Sequence, residues 1–391
     1  MLYALLALAV FGLITSTVFA GIVLAAVPGY LRERRAALEQ LSDRPGFTPP
    51  LTLLKPLHGA EPNLEAHLDT FFRQNYPQYE ILFCARSADD EGLETARRVA
   101  ARHPNIPAHF FSTGEPPYIN AKVASLELME SAAAHDIFVI SDSDVRVTPD
   151  YLRAVALPFT GELVGAVTCP YRGVAAEGGL WARLEAVGMS VEMTSGVLAA
   201  RALEGMQFTL GPTMAFRRET IRRMGGFRVT ADYCADDFVL GNETSKLGQQ
   251  VVLSHYAIDH MVINKTVTAS LKHQVRWMKS TRFSRPRGHL GTALTFSMPF
   301  GLLGCAVAAA MGRPTLGIAL FGWSLATRLA LSHLVGRAVV GDRSWFGLLF
   351  LYPMRDLMGF CFWIASYFSD RILWRGRVFQ LLPGGKMRAA K

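Results

Sequence analysis

Asp136-Ile137-Phe138-Val139-Ile140-Ser141, followed at once by Asp142-Ser143-Asp144, is the stretch that decides the fold of this chain. Its apolar, β-branched and aromatic centre reads as a buried strand. Two carboxylates one residue apart at its end can share a hard cation whose other ligands are oxygens of a bound molecule and water; a turn or a helix cap has the same composition. Upstream, Leu51-Thr52-Leu53-Leu54, closed by Lys55-Pro56, reads as a first strand, Tyr79 to Ala85 as a second and His109 to Ser112 as a third. Helical spacing over Glu61 to Asn75, Glu91 to Arg102 and Ala121 to Ala134 separates them. Strand and helix in alternation predict an α/β domain with a mostly parallel sheet covered on both faces. Ligands bind beyond the carboxyl ends of such strands, where Asp90 and the Asp142/Asp144 pair fall.

A third acidic site, Asp236-Asp237, precedes a helical run from Phe238 to Lys246. Acids in a first helical turn gain about 0.3 to 1 kcal/mol from the helix dipole. Adjacent acids near a second acidic site also raise one another's pKa, as a general base for an attacking hydroxyl requires, and Asp237 is the candidate. Asn120-Ala121-Lys122 at a helix start can offer backbone N–H groups and an ammonium to phosphate, or form a solvated cap. Further on, Lys272 to Arg287 carries seven Lys, Arg or His with Trp277, Met278 and Phe283 among them. Arg276-Trp277 there offers a cation for a departing diphosphate and a flat apolar surface, although an interfacial anchor has the same composition. His255 and His260 read as structural.

A length of 391 residues exceeds one ordinary core, and a mean hydropathy of +0.22 places part of the chain in a membrane. Met1 to Leu31 holds no charged residue, longer than the roughly 20 apolar residues that cross a core of about 30 Å. No basic region precedes the run, and Arg32, Arg34 and Arg35 follow it. A signal anchor with its C-terminal side in the cytoplasm fits this better than a cleaved signal. The net charge of +8 does not call for nucleic acid, because six Lys or Arg and no acid lie in the tail from Arg371 to Lys391, a pattern suited to anionic headgroups. Five scattered cysteines read as small buried apolar residues of a reducing compartment.

These features predict an anchor over 1–30, a linker over 31–50, a cytoplasmic catalytic domain over 51–267, an interfacial segment over 268–288, membrane helices over 289–370 and a basic tail over 371–391. Apolar stretches near 290–311, 314–335 and 345–368 follow the interfacial segment, with Arg328, Arg355 and Asp356 inside the last two. Ionisable groups at such depth face a bundle interior or a polar cavity. With Arg32 and Arg371 both cytoplasmic, three crossings between them are one too many, so one stretch is expected to be re-entrant or interfacial.

With these residues in place, the chain resembles the ceramide glucosyltransferase family of membrane-bound family-2-type transferases, and within it the bacterial hopanoid-associated glycosyltransferases. The resemblance runs from Leu53-Leu54-Lys55-Pro56-Leu57-His58-Gly59-Ala60-Glu61-Pro62-Asn63-Leu64 to Trp374-Arg375-Gly376-Arg377. The family pattern is three acidic sites, then Gln or Arg, two variable residues and Arg-Trp. The resemblance implies a GT-A-like domain in which Asp90 helps hold uridine, Asp142 and Asp144 serve the donor and a divalent cation (Mg2+ or Mn2+), and Asp237 is the base, with Asp236 beside it at the substrate. Arg276 and Trp277 fall on the closing motif, implying diphosphate and acceptor contacts. His273 stands where the family has Gln or Arg, so a phosphate contact there is weaker or pH-sensitive.

The implied reaction is inverting transfer of glucose or N-acetylglucosamine from a UDP-sugar to a hydroxyl of a lipid, ceramide or hopanoid. It would take place at the inner (cytoplasmic) membrane, by a multi-pass protein with its catalytic domain in the cytoplasm. A processive polysaccharide synthase needs a longer set of crossings. A non-catalytic nucleotide-sugar-binding membrane protein would not need acids at positions 236 and 237.

Overall fold

The computed structural model describes residues 1–43, 46–175, 179–262, 264, 266–374 and 376–390. Arg44-Pro45 of the expected linker, Ala176-Glu177-Gly178, Ile263 and Lys265 of the expected catalytic domain, and Arg375 and Lys391 of the expected tail lie outside them. The chain forms two compact units.

The unit built from Leu31–Tyr171 and Glu204–Ile263 holds a seven-stranded sheet. Its strands are β1 (Leu51–Pro56), β2 (Tyr79–Ala85), β3 (Ala108–Ser112), β4 (Ile137–Ser141), β5 (Val164–Thr168), β6 (Thr213–Arg217) and β7 (Gln250–Leu253). They lie in the order β3-β2-β1-β4-β6-β5-β7. β1 is parallel to both β2 and β4, and β2 to β3. β6 runs antiparallel between β4 and β5, and β7 is parallel to β5. The sheet is thus mostly parallel and of the expected class. Strands β2 and β4 are buried at every position, as largely apolar strands in a sheet covered on both faces must be. Helix Ala121–Ala132 adds Val123, Leu126 and Met129 to a core with Leu82, Phe138, Ile140, Met214 and Phe216.

Strand order reverses between β1 and β4, which opens a crevice at their carboxyl ends. The antiparallel β6 brings a second loop to that crevice, because Thr213 at its start pairs with Ser141 at the end of β4. Asp142 N–H accordingly donates to the Pro212 carbonyl at 3.3 Å.

Three boundaries differ from the sequence reading. Residues 31–43 are not a linker but continue the N-terminal helix, Leu2–Asp43. Arg-Glu-Arg-Arg-Ala-Ala-Leu-Glu-Gln-Leu contains only strong helix formers, so a change from apolar to charged composition does not end the helix. Arg172–Leu203 packs with Met1–Tyr30 and Asn264–Lys391, so the expected 51–267 domain is interrupted. The tail is three antiparallel strands, Arg371–Trp374, Arg377–Leu381 and Met387–Ala389. Alternation there turns Ile372, Phe379, Leu381 and Met387 inward, while Arg371, Arg377 and Arg388 face out.

Three helices, Leu2–Asp43, whose first part to Tyr30 is in the second unit, and Pro314–Val339 and Gly347–Ala365 in that unit, are long and apolar enough to cross a membrane. Met298–Ala310 has 13 residues, about 20 Å at 1.5 Å per residue. It lies close against Pro314–Leu331 because Gly301 faces Ser324 and Gly317 faces Cys305 with no room for a Cβ. Arg328 pairs with Asp356 at 2.8 Å and Arg355 with Glu192 at 3.2 Å, all inside the bundle as expected of ions at that depth. Asp356 also accepts from the N–H groups of Ser297 and Met298, which stops the start of Met298–Ala310 from leaving buried donors unpaired. Of the cysteines, Cys84 and Cys169 are buried as expected; Cys234 and Cys305 are half-buried and Cys361 is exposed. Cys361 lies on the apolar helix Tyr352–Ala365, where an uncharged thiol suits lipid as well as a core.

Candidate active site

At the end of β1, Lys55 is fully buried and donates from Nζ to the Asp142 carbonyl at 2.7 Å, with the Phe71 ring centroid 3.7 Å away. Burial lowers its pKa to about 7, against the pull of Asp142, Asp144 and Glu61. β4 then delivers Asp142 and Asp144 into different surroundings. Asp142 accepts from Lys122 Nζ at 3.0 Å and is partly exposed. Asp144 lies deeper, with Oδ2 at 3.1 Å from His260 Nε2 and Oδ1 buried without a hydrogen-bond partner. Burial works against its charge, yet His260 and Lys55 hold its pKa below the ordinary value. Glu61 faces the same group through Ser143; burial raises its pKa, and its Oε2 is also unpartnered.

Asp236 and Asp237 open helix Asp236–Lys246. Two backbone N–H groups fix Asp237: that of Gly211, in the loop before β6, donates to Oδ2 at 2.8 Å, and that of Phe238, next along the same helix, donates to Oδ1 at 2.8 Å. Burial, and then the charge of Asp236, raise the Asp237 pKa to about 6. Lys122 ties this acid pair to the β4 pair, with Nζ 3.0 Å from Asp142 and 3.4 Å from Asp236. Burial opposes its charge, but Asp142 and Asp236 keep its pKa above the ordinary lysine value. The second and third acidic sites therefore meet around one ammonium.

Asn120 and Lys122 differ from their sequence reading. Asn120 is buried; its Oδ1 caps Lys122 N–H at 3.1 Å and its Nδ2 donates to the Tyr233 carbonyl. Lys122 is claimed by carboxylates, so neither residue is a solvated cap or an open phosphate ligand. Asp90 uses its carboxylate on Gly59 N–H, at 3.1 and 3.0 Å, and on Gly92 N–H at 2.8 Å. That joins the loop after β1 to the cap of helix Glu91–Ala101, at the edge of the same crevice.

Sequence reasoning missed Lys55, Glu61 and His260. Lysine inside the first apolar strand was a legible signal for Lys55. Nothing local marks His260, whose pairing with Asp144 arises because strand Ile258–Met261 lies antiparallel to Val145–Arg146.

Asp144 with an orphaned buried oxygen fits a hard cation completed by phosphate oxygens, which usually takes only one or two protein carboxylates. Among the described residues no cluster of three or more His, Cys, Asp or Glu forms a complete metal cage.

His273, Arg276 and Trp277 belong to the second unit, on helix Val267–Ser284. His273 Nδ1 lies 2.7 Å from Glu185 Oε1, so that nitrogen faces a carboxylate rather than a phosphate. The Trp277 ring centroid is 4.4 Å from that of His273. Arg276 is half-buried, and its side chain forms no hydrogen bond or ion pair with the described residues.

Among known proteins, ceramide glucosyltransferase 1 of Caenorhabditis elegans is 25% identical over 349 residues, spanning 88% of this chain and 74% of that protein. Ceramide glucosyltransferase 3 of the same organism is 24% identical over 370 residues, spanning 88% and 75%. A solved mannosyltransferase from Pyrobaculum calidifontis, in complex with GDP-Man and Mn2+, superposes with a TM-score of 0.50 at 19% identity, over 89% of this chain and 97% of that one. It supports the GT-A-like fold. A sequence profile of glycosyl transferase family 21 matches residues 13–387, and the chain therefore belongs to that family, the family of the ceramide glucosyltransferases, and is a nucleotide-sugar glycosyltransferase.

Proposed function

We propose that this glycosyltransferase moves glucose or N-acetylglucosamine from a UDP-sugar to a hydroxyl of a membrane lipid, ceramide or a polyhydroxylated hopanoid, with inversion at the anomeric carbon. The names of its relatives favour glucose and ceramide. The observation that carries the reading is Asp237, a half-buried carboxylate fixed by two backbone N–H groups with a pKa raised to about 6. Such a group is ionised at neutral pH and still basic enough to take a proton from an attacking hydroxyl. In a single displacement the acceptor oxygen bonds to the anomeric carbon, its proton passes to Asp237, and UDP leaves with the bonding pair.

Asp144, with Asp142 beside it, would hold a divalent cation, Mg2+ or Mn2+. When bound, that ion supplies neutralising charge for the leaving diphosphate. Asp90 holds the loops that receive uridine, and Lys122 keeps Asp142 and Asp236 in place around the donor. Arg276 provides a cation for the diphosphate and Trp277 an apolar surface for the acceptor. The reaction belongs at the inner (cytoplasmic) membrane, with the acidic sites on the cytoplasmic side.

Purified Asp237→Asn protein in detergent is the test. It should bind UDP as the wild type does while transfer is lost, and normal turnover by that variant overturns the assignment. Mass spectrometry of products formed with each UDP-sugar and each lipid in turn identifies the substrates. UDP release that stays the same with and without lipid counts against a lipid acceptor.

A further inference from the structure

Within the second unit, Glu185 on helix Leu180–Val187 is buried, and its carboxylate collects three side-chain partners. Asn264 Nδ2 donates to Oε1 and Oε2 at 2.9 and 3.1 Å, Ser270 Oγ donates to Oε2 at 2.6 Å, and His273 Nδ1 lies 2.7 Å from Oε1. Two of these, Ser270 and His273, are on helix Val267–Ser284, one turn apart; Gln274 Nε2 extends the chain to Ser270 Oγ at 2.9 Å. The His273 ring in turn meets Trp277, one turn further on, with centroids 4.4 Å apart. Burial works against the charge of Glu185, yet His273, Ser270 and Asn264 hold its pKa below the ordinary value. A buried carboxylate satisfied on both oxygens by one helix face fixes that face in rotation and height.

We propose that Glu185 is a positioning residue for the closing motif: it orients His273 through Nδ1, and through the His273 ring it sets the Trp277 indole and the turn that carries Arg276. A carboxylate partner explains how His serves at position 273. Accepting a hydrogen from Nδ1, Glu185 fixes the imidazole tautomer and leaves Nε2 as the free edge of the ring. This inference rests on the roles proposed for Arg276 and Trp277, and its spectroscopic test does not.

The experiment compares wild type, Glu185→Gln, His273→Leu and the double variant in the full-length protein. Glu185→Gln keeps the shape of the side chain and is expected to lower kcat by about ten- to a hundredfold through misplacement of the motif. Binding of UDP and the melting temperature should change little. On the His273→Leu background the same change should cost nothing further, because a residue acting through another has no effect once that other is gone. Additive losses in the cycle, or a fall in melting temperature and UDP binding together with kcat, overturn the proposal in favour of a merely structural carboxylate.

Independently of turnover, the emission of Trp277, isolated by subtracting the spectrum of Trp277→Phe, should change in Glu185→Gln. An unchanged difference spectrum also overturns the proposal. If the wild type transfers no sugar while that spectrum responds, the proposed function fails and the link from Glu185 to Trp277 stands.

Discussion

The backbone N–H of Gly211 donates to Oδ2 of Asp237 at 2.8 Å, so the proposed base is held by the main chain of the loop that leads into β6. A Cβ at position 211 would lie 3.1 Å from that same oxygen. Gly211→Ala therefore has to push the carboxylate aside by a few tenths of an ångström. Transfer is expected to fall about tenfold or more, with UDP affinity kept, in a steady-state assay paired with a UDP-binding measurement. Unchanged kcat would mean that this hydrogen bond does not hold the base in its working position.

The pH dependence follows from the raised pKa of Asp237, about 6 against 3.8 for a free aspartate. The base works only when ionised, so kcat/KM should climb with pH and level off above about 6, with the acid limb absent from any residual activity of Asp237→Asn. For stability the sign is opposite. A carboxyl that holds its proton more tightly when folded favours the folded state at low pH and loses that contribution as pH rises from about 4 to about 6. The melting temperature of Asp237→Asn should thus gain on that of the wild type over this window, by a free energy of at most about 3 kcal/mol.

Lys122 neutralises two acids from different parts of the chain, Asp236, which is buried, and Asp142, which is partly exposed. Lys122→Met leaves Asp142 and Asp236 facing each other without a cation, which should cost about 3 to 5 kcal/mol of stability. Adding Asp236→Asn should restore part of it. Chemical denaturation of the single and double variants in detergent is the measurement, and equal stabilities would remove Lys122 from the centre of the acidic cluster.

Removal of divalent ions with EDTA should stop transfer, and Mg2+ or Mn2+ should restore it. Asp144→Asn is expected to raise the metal concentration needed for half-maximal rate by about ten- to a hundredfold. Full activity in EDTA would rule out the proposed role of Asp144.

Much of the α/β unit is legible in the sequence because β1, β2 and β4 are mostly apolar runs bounded by turn residues and amphipathic helices. Asp142 and Asp144 stand out because they lie just past a strand, and Asp236 and Asp237 because they lie at the start of a helical run. What escapes is what depends on pairing across long separations. The antiparallel insertion of β6 gives Asp237 its Gly211 contact, and nothing in Thr213–Arg217 announces its neighbours. His260 reads as an ordinary core histidine until its strand lies beside Val145–Arg146. The helical continuation through 31–43 was concealed by a shift in composition that changes solvent but not backbone preference, and the tail strands by a charge excess carried only on their outer positions.

The interruption of the α/β unit by Arg172–Leu203 bears on how the protein is made. As the chain emerges from the ribosome, β1 to β5 appear first, then a helical stretch whose partners lie after residue 263, and only later β6, β7 and the base. Val187 and Val191, which lie against Gly347 and Gly336, must wait, uncovered, for helices not yet synthesised. A soluble fragment ended at residue 263 would carry that apolar surface permanently, and it should aggregate rather than yield a free-standing catalytic domain.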